Sequence, residues 1–312
     1  MNMLRLLRSN TFLRHHLPFR RLVSVISSCD SSKGTSTLTL EPKSYESCVP
    51  KELPSDFQYL SLASSWNTCK DHKILRFHLP PGISSLKALG APSGVKVKET
   101  VGGIVLNKSY SPVSHPNEKG IVDILVKTYP YQKGGGLGKH LYDMEATKKE
   151  RIQIKLKPKK LFHGEIYSPN RWSSLLLIGN GTGVCPLYQL ALAISSDPND
   201  CTKVYFFGQY RHPNENVLTQ KMLNKLNNEQ VFIKTFYSND NEYVNLNDIE
   251  RLEYEDENKH CLVCGTDGFL ESICGKHVRV DIGKSKLKKQ QGPLKGYLME
   301  SGDWIKEEVT KL

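Results

Sequence analysis

Three glycines in the middle of the chain could bind a phosphate. Gly179, Gly181 and Gly183 directly follow four apolar residues, and an apolar-periodic segment comes after them. Glycines allow a sharp turn and the close approach of a ligand, and a helix beginning near Pro186 would point its free N–H groups at an anion. The pattern predicts a strand, a turn and a helix, with an ordinary connection as the alternative. It is not the G-x-G-x-x-G fingerprint, because Val184 replaces the third glycine.

Two earlier segments carry groups that suit a flavin. Residues 107–112 (Asn-Lys-Ser-Tyr-Ser-Pro) offer a flat ring in Tyr110, a hydroxyl in Ser111 and a cation in Lys108. The protein must orient a flavin and tune its electronics through such neighbouring groups. The glycine-rich residues 134–138 could direct successive backbone N–H groups at a pyrophosphate. Taken alone, the first segment could also be a plain turn and the second a flexible hairpin.

The cysteines allow a metal site to be considered. Cys261, Cys264, Cys274 and His277 have the spacing of a zinc site. However, the apolar pattern around Cys261 and Cys264 predicts a strand, in which positions three apart point to opposite faces. These two thiols should therefore not share one ion, and we expect no metal. The eight cysteines are scattered, so we expect reduced thiols.

Length and charge limit the classes of function. The chain has 312 residues, enough for two domains with separate cores, and a net charge of +11. Residues 1–28 contain five arginines and no lysine or acid, which is typical of a mitochondrial presequence, with a disordered basic tail as the alternative. The remaining charges are interpreted as dispersed along the chain rather than gathered in a basic stripe, so we expect no nucleic acid partner. No apolar run approaches the roughly 18 residues of a membrane span.

The elements that would position these groups fall into two sets. Short β-rich segments come first and predict an antiparallel barrel, at residues 57–62, 73–79, 94–98, 103–106, 121–129 and 151–157. Strands then alternate with helices and predict a parallel sheet, with strands at 175–178, 203–207, 231–237 and 260–264 and a helix at 215–228. We expect a solvated loop and helix at 239–259, and a solvated loop at 284–289.

Taken in order, the motifs resemble the NADH-cytochrome b5 reductase family of the ferredoxin-NADP reductase superfamily. Residues 107–112 resemble its R-x-Y-[ST] motif, 122–129 its V-K-x-Y strand, and 134–141 its G-G-x-x-S-x-x-L loop. The central turn resembles its G-G-x-T-G-x-x-P turn, and Cys264-Gly265 the start of its C-G-P-P segment. The resemblance covers about residues 57 to 280. It implies an antiparallel FAD-binding β-barrel followed by a parallel-sheet α/β domain that binds NAD(P)H.

The resemblance also implies the site residues. The FAD-binding residues would be Lys108, Ser109, Tyr110, Ser111, Leu125, Lys127, Tyr129, Gly135, Gly136, Leu137 and Gly138. The nucleotide-binding residues would be Gly179, Gly181, Thr182, Pro186, Cys264, Gly265 and Phe269. The catalytic candidates are three: Ser111 and Thr182 would orient the two rings, and Cys264 would pack against or polarise the nicotinamide.

The chain departs from the family pattern at three motifs. Lys108 replaces an arginine and loses its bidentate fork. Gly138 replaces a serine or threonine of the glycine-rich loop, which predicts weaker FAD binding. Residues 266–268 (Thr-Asp-Gly) replace the two prolines of the C-G-P-P segment. The choice between NADH and NADPH stays open, and Arg211 is a candidate to bind a 2′-phosphate. The segment from Gln291 onwards resembles the end of a fungal mitochondrial flavoprotein that assists haem attachment to cytochrome c.

We therefore predict a monomeric mitochondrial flavoprotein. The predicted organisation is a presequence at 1–28, a linker at 29–56, the barrel at 57–160, a second linker at 161–172 and the nucleotide domain at 173–312. The electron acceptor would be a haem protein, either cytochrome b5 or the cytochrome c maturation machinery. The non-enzymatic alternative is an assembly factor that keeps the fold without turnover.

Overall fold

A computed structural model describes residues 56–129, 136–158, 162, 164–226, 229–254, 258–281, 283 and 287–312. All of them belong to the unit that runs from Cys48 to Leu312. The predicted presequence and Gly135 lie outside the described residues. None of the described helices is long and apolar enough to cross a membrane.

Six antiparallel strands form the first half. They are β1 (Gln58–Cys69), β2 (His72–His78), β3 (Ser93–Val101), β4 (Ile104–Tyr110), β5 (Ile121–Lys127) and β6 (Arg151–Pro158). Their order in the sheet is β4-β3-β6-β1-β2-β5, and a bridge between Pro112 and Ile124 links the chain after β4 to the opposite edge. The sheet therefore curls into a barrel, as predicted. Helix α1 (Gly136–Asp143) buries Leu137 and Leu141 in the barrel core.

Parallel strands form the centre of the second half. The strands are β7 (Ser174–Asn180), β8 (Lys203–Tyr210), β9 (Val231–Tyr237), β10 (Lys259–Cys264), the hairpin strands β11 (Val278–Asp281) and β12 (Leu287–Gln290), and β13 (Val309–Lys311). The parallel sheet has the order β13-β10-β7-β8-β9. The helices are α2 (Val184–Ser196), α3 (Gln220–Leu223), α4 (Leu246–Glu250), α5 (Asp267–Ile273) and α6 (Gly296–Glu300).

Strand β7 shows why this sheet carries helices on both faces. Leu175 and Leu177 join one apolar cluster with α2, whereas Leu176 and Ile178 join another with α5. Successive side chains of a strand point to opposite faces, so a strand buried on both sides is apolar at every position. The predicted α/β fold is thereby confirmed.

Several local predictions differ from the structure. Within the range 215–228, where one helix was expected, the described residues form α3 and a 3₁₀ turn at Asn224–Leu226. The helix starts later than predicted because the Thr219 hydroxyl accepts a hydrogen bond from Met222 N and caps it there. Strand β1 continues to Cys69 because its second half pairs with β2, although that half lacks apolar alternation. Within the predicted solvated loop at 284–289, the residues from Leu287 onward belong to β12.

Candidate functional site

A cleft of about 420 Å³ opens where the two halves meet. The ends of β4 and β5 form one wall, and the ends of β7 and β10 form the other. Open parallel sheets bind ligands outside the carboxyl ends of their strands. The cleft therefore lies where the fold would place a ligand.

The structure brings most of the predicted site residues into this cleft. Those that line it are Lys108, Ser109, Tyr110, Ser111, Leu125, Lys127, Tyr129, Gly138, Thr182, Pro186, Cys264 and Gly265. The cleft wall also contains Gly183 of the predicted glycine turn, and Asn180, Cys185, Thr266 and Leu312, which the sequence did not indicate. All three catalytic candidates lie in the same cleft, with Ser111 from one half and Thr182 and Cys264 from the other.

Other predicted residues do not line the cleft. Leu137 is fully buried in the barrel core, so its side chain does not face the cleft. Phe269 packs beneath Gly265, where an added Cβ would lie 2.5 Å from the Phe269 ring. Gly136, Gly179 and Gly181 are likewise not part of the wall. These residues shape the segments that carry the lining residues.

The barrel wall is fixed by strand pairing on each side of Tyr110. Tyr110 ends β4 opposite Val95, and Val113 N donates a hydrogen bond to Asp123 O (2.8 Å) two residues after Ser111. Ser111 therefore lies at the closure of the barrel. Burial raises the pKa of Tyr110 to about 12, with a smaller effect from Tyr129. The Tyr110 hydroxyl, which is neutral at physiological pH even at its ordinary pKa, therefore stays protonated into the alkaline range and can donate a hydrogen bond.

Helix α1 approaches β5 very closely at Gly138. An ideal Cβ on Gly138 would lie 2.6 Å from the backbone oxygen of Lys127. Any side chain at this position would collide with backbone rather than with a flexible group. Lys127 ends β5, and its Nζ lies 5.5 Å from the centre of the Tyr129 ring. The glycine thus allows α1 to pack directly against the strand end that carries Lys127.

The nucleotide wall depends on a second close approach. After β7, residues Gly181–Gly183 form a 3₁₀ turn that leads into α2. A Cβ on Gly183 would collide with the carbonyl oxygen of Cys264, so only glycine lets the turn touch the end of β10. Asn180 Nδ2 also donates a hydrogen bond to Gln209 O (3.2 Å), which ties β7 to β8. These contacts hold Thr182 beside Cys264.

Leu312 reaches the cleft through the last strand. Leu312 N donates a hydrogen bond to Val263 O (2.9 Å), in line with the parallel pairing of β13 and β10. The Gln291 side chain bonds both backbone groups of Lys311, at 2.9 Å to N and 2.8 Å to O. No local sequence signal indicates this placement, because it depends on strand pairing across more than forty residues.

The first two of the three cysteines in the considered zinc site, Cys261 and Cys264, lie on different sides of the sheet. Cys261 is fully buried in the cluster that contains α5, whereas Cys264 packs against the cluster that contains α2. Among the described residues, no group of three or more His, Cys, Asp or Glu side chains could hold a metal ion. Burial raises the pKa of the Cys261 thiol well above its ordinary value. This thiol is therefore a packing group.

The residues of the cleft fit a flavin and a pyridine nucleotide. The barrel wall supplies two aromatic rings, Tyr110 and Tyr129, and two cations, Lys108 and Lys127. The other wall supplies a glycine turn and the start of the thirteen-residue α2, which favours an anion. A cleft of this size falls within the range of ordinary cofactor sites.

Comparison with known proteins identifies both halves. Residues 59–157 match the oxidoreductase FAD-binding domain, and residues 177–275 match the oxidoreductase NAD-binding domain. NADH-cytochrome b5 reductase 2 of Neosartorya fischeri is 31% identical over 271 residues, which cover 81% of this chain and 76% of that protein. The chain belongs to the NADH-cytochrome b5 reductase family. It is an oxidoreductase with FAD- and NAD-binding domains.

A second relative and a solved structure support the same family assignment and fold. NADH-cytochrome b5 reductase 1 of Scheffersomyces stipitis is 34% identical over 158 residues, which cover 50% of this chain and 51% of that protein. The cytochrome b5 reductase domain of Ulva prolifera nitrate reductase has a similar fold, with a TM-score of 0.58 and 21% identity over 70% of this chain and 90% of that one. The order of barrel and parallel sheet is therefore that of the family.

Proposed function

We propose that this family member takes a hydride from NADH or NADPH and passes electrons through FAD to a haem protein such as cytochrome b5. The observation that carries the proposal is that Tyr110 and Thr182, from opposite halves, line one cleft. Bound FAD would accept the hydride and release its electrons one at a time. The chain itself has to bind the two rings, orient them and limit access of water.

The cleft residues divide this work between the two walls. Tyr110 offers its ring and a protonated hydroxyl on the barrel side, and Lys108 and Lys127 offer positive charge for phosphates. Thr182 and Cys264 stand on the opposite wall, at the carboxyl ends of β7 and β10. We assign Ser111 and Thr182 as orienting groups, because hydride transfer to a flavin needs no protein nucleophile.

The absorption spectrum of the purified protein tests this proposal. We expect a flavin spectrum that bleaches when NADH is added without oxygen and returns with ferricyanide. Tyr110→Ala should retain less FAD than the wild type. The matched control, Tyr59→Ala, changes an exposed tyrosine of the barrel outside the cleft and should retain FAD like the wild type. A colourless preparation that binds no added FAD would refute the proposal and favour the assembly-factor alternative. Reduction of cytochrome b5, or instead of the haem that the cytochrome c maturation machinery attaches, in the same assay would separate the two predicted acceptors.

We also propose a mitochondrial, monomeric protein. Support comes from the five arginines without any acid in residues 1–28. Fusion of these residues to a fluorescent protein should direct it to mitochondria, and reversal of Arg14, Arg20 and Arg21 to glutamate should abolish this. A cytosolic wild-type fusion would refute the localisation. Light scattering at micromolar concentration would test the monomer.

A further inference from the structure

One segment outside the cofactor cleft carries the excess positive charge of the folded part. Residues 276–295 contain seven lysines or arginines and one acid, a net charge of +6. The whole chain carries +11, of which +5 lies in residues 1–28. Subtracting both leaves the rest of the chain without net charge. The prediction that the charge is dispersed is therefore wrong.

An exposed hairpin forms the centre of this segment. Its strands β11 and β12 make a separate two-stranded sheet, and every residue of both strands is exposed. Arg279 lies directly opposite Lys289, and like charges in that position destabilise a strand pair. Within the described part of the chain, no ion pair includes Arg279, Lys288 or Lys289. The hairpin therefore presents cations that its own fold does not neutralise.

Apolar side chains are exposed among these cations. Leu287 is 63% exposed, and Val278 and Val280 are each 39% exposed. The segment contains no aromatic residue. Single-stranded nucleic acids bind to stacking aromatics, and the centres of protein interfaces are rich in aromatics and poor in lysine. Lysines beside exposed aliphatic side chains instead suit the interface of an anionic bilayer, where alkyl groups enter the headgroup region and ammonium groups contact phosphate.

We propose that the hairpin β11–β12 binds an anionic lipid surface. Arg279 and Lys289 lie on the same face as Leu287, and Lys288 lies on the other face with Val278 and Val280. The hairpin would therefore enter the lipid surface edge-on, with Arg279, Lys288 and Lys289 for phosphate and Leu287 for the apolar layer. The base of the hairpin is tied to β13, since Gln291 bonds the backbone of Lys311, the residue before the cleft residue Leu312. Lipid binding would thus hold the cofactor cleft near a membrane surface. The proposal is independent of the electron-transfer activity.

Cosedimentation of the full chain with lipid vesicles tests this inference. The vesicles are pure phosphatidylcholine or an equal mixture of phosphatidylcholine and phosphatidylglycerol. Two triple charge reversals with the same net change are compared, Arg279→Glu/Lys288→Glu/Lys289→Glu in the hairpin and Lys87→Glu/Lys119→Glu/Lys221→Glu on exposed lysines elsewhere. Residues 1–28 are present in every variant, so any lipid binding by their arginines is constant.

We expect wild type and the control variant to bind the anionic vesicles and not the neutral ones. The hairpin variant should bind the anionic vesicles at least roughly 100-fold more weakly than the wild type, because each of the three cations contributes about 1 kcal/mol at an anionic surface. Leu287→Ser should weaken binding by about tenfold through loss of apolar burial. Raised salt should weaken binding of the wild type. All variants should melt like the wild type, since the changed side chains are exposed.

Several results would overturn the proposal. Equal binding by wild type and the hairpin variant would assign the affinity to residues 1–28 or to another surface. Equal losses in both triple variants would show an effect of net charge alone. The absence of wild-type binding to anionic vesicles would also refute it. So would hairpin-dependent binding of duplex DNA or of an acidic protein without vesicle binding.

Discussion

Replacing Gly138 by serine tests how α1 supports the cofactor cleft. The family motif that this segment resembles has a hydroxyl residue here, so the sequence alone suggests that serine would strengthen FAD binding. The structure predicts the opposite. The Cβ of a serine would lie 2.6 Å from Lys127 O, whereas comfortable contacts between heavy atoms begin at about 3.5 Å. Helix α1 or the end of β5 would have to move by nearly 1 Å.

The size of the effect follows from two opposing terms. Overpacking of this kind costs about 1–3 kcal/mol. Replacing a helical glycine by serine returns up to about 0.5 kcal/mol of helix propensity. We therefore expect Gly138→Ser to destabilise the FAD-free protein by about 1–2 kcal/mol, which lowers its melting temperature by about 2–8 °C for a domain of this size. FAD affinity should fall as well, because Lys127 lines the cleft.

Thermal unfolding of the FAD-free protein and titration with FAD measure the two effects. Gly268→Ser is the matched control, since Gly268 lies in α5 and an added Cβ would meet nothing within 4 Å. The control should melt at or slightly above the wild-type temperature and bind FAD normally. A Gly138→Ser protein that melts like the wild type and binds FAD more tightly would show that α1 does not pack on Lys127 as described.

Three other predictions concern the second half and pH. Gly183→Ala should weaken NADH binding, measured by titration, because its Cβ would collide with Cys264 O; unchanged affinity would contradict the close approach. Arg211 is exposed at the end of β8, and Arg211→Ala should lower activity with NADPH more than with NADH; an unchanged ratio would dismiss a 2′-phosphate role. Burial lowers the pKa of His72, so the unfolded chain binds this proton more strongly and stability falls as pH drops below about 6.5. Denaturant unfolding of His72→Gln should show a shallower fall between about pH 7 and pH 5, and an identical slope would refute this.

The parts of the fold that sequence predicts well are those whose signal is local. Strand β9 runs from Val231 to Tyr237, the residues predicted, because a run of β-branched and aromatic residues between polar segments decides it alone. The strand, glycine turn and helix around Gly181 follow from the same kind of local pattern. The long second half of β1 has no such pattern and is ordered by its partner β2. Pairing, rather than propensity, determines that segment.

The candidate site divides in the same way. Tyr110, Ser111 and Thr182 could be proposed from motifs because their chemistry is visible in the residue types. Asn180 and Leu312 could not, because their places in the wall depend on how β7, β8, β10 and β13 lie side by side. Sequence identifies groups that could act on a ligand, whereas three-dimensional pairing decides which neighbours complete the wall.

Two glycines of the site have one role predicted from the sequence and another seen in the structure. The family resemblance predicts Gly138 near FAD, and the glycine turn predicts Gly183 near a phosphate because glycine admits a ligand. In the structure both are required by contacts within the protein, with Lys127 O in one case and Cys264 O in the other. Each contact holds the end of one element against a residue of the cleft. A missing hydroxyl at Gly138 is therefore not simply the loss of a ligand contact, because the same glycine sets the distance between α1 and the strand that carries Lys127.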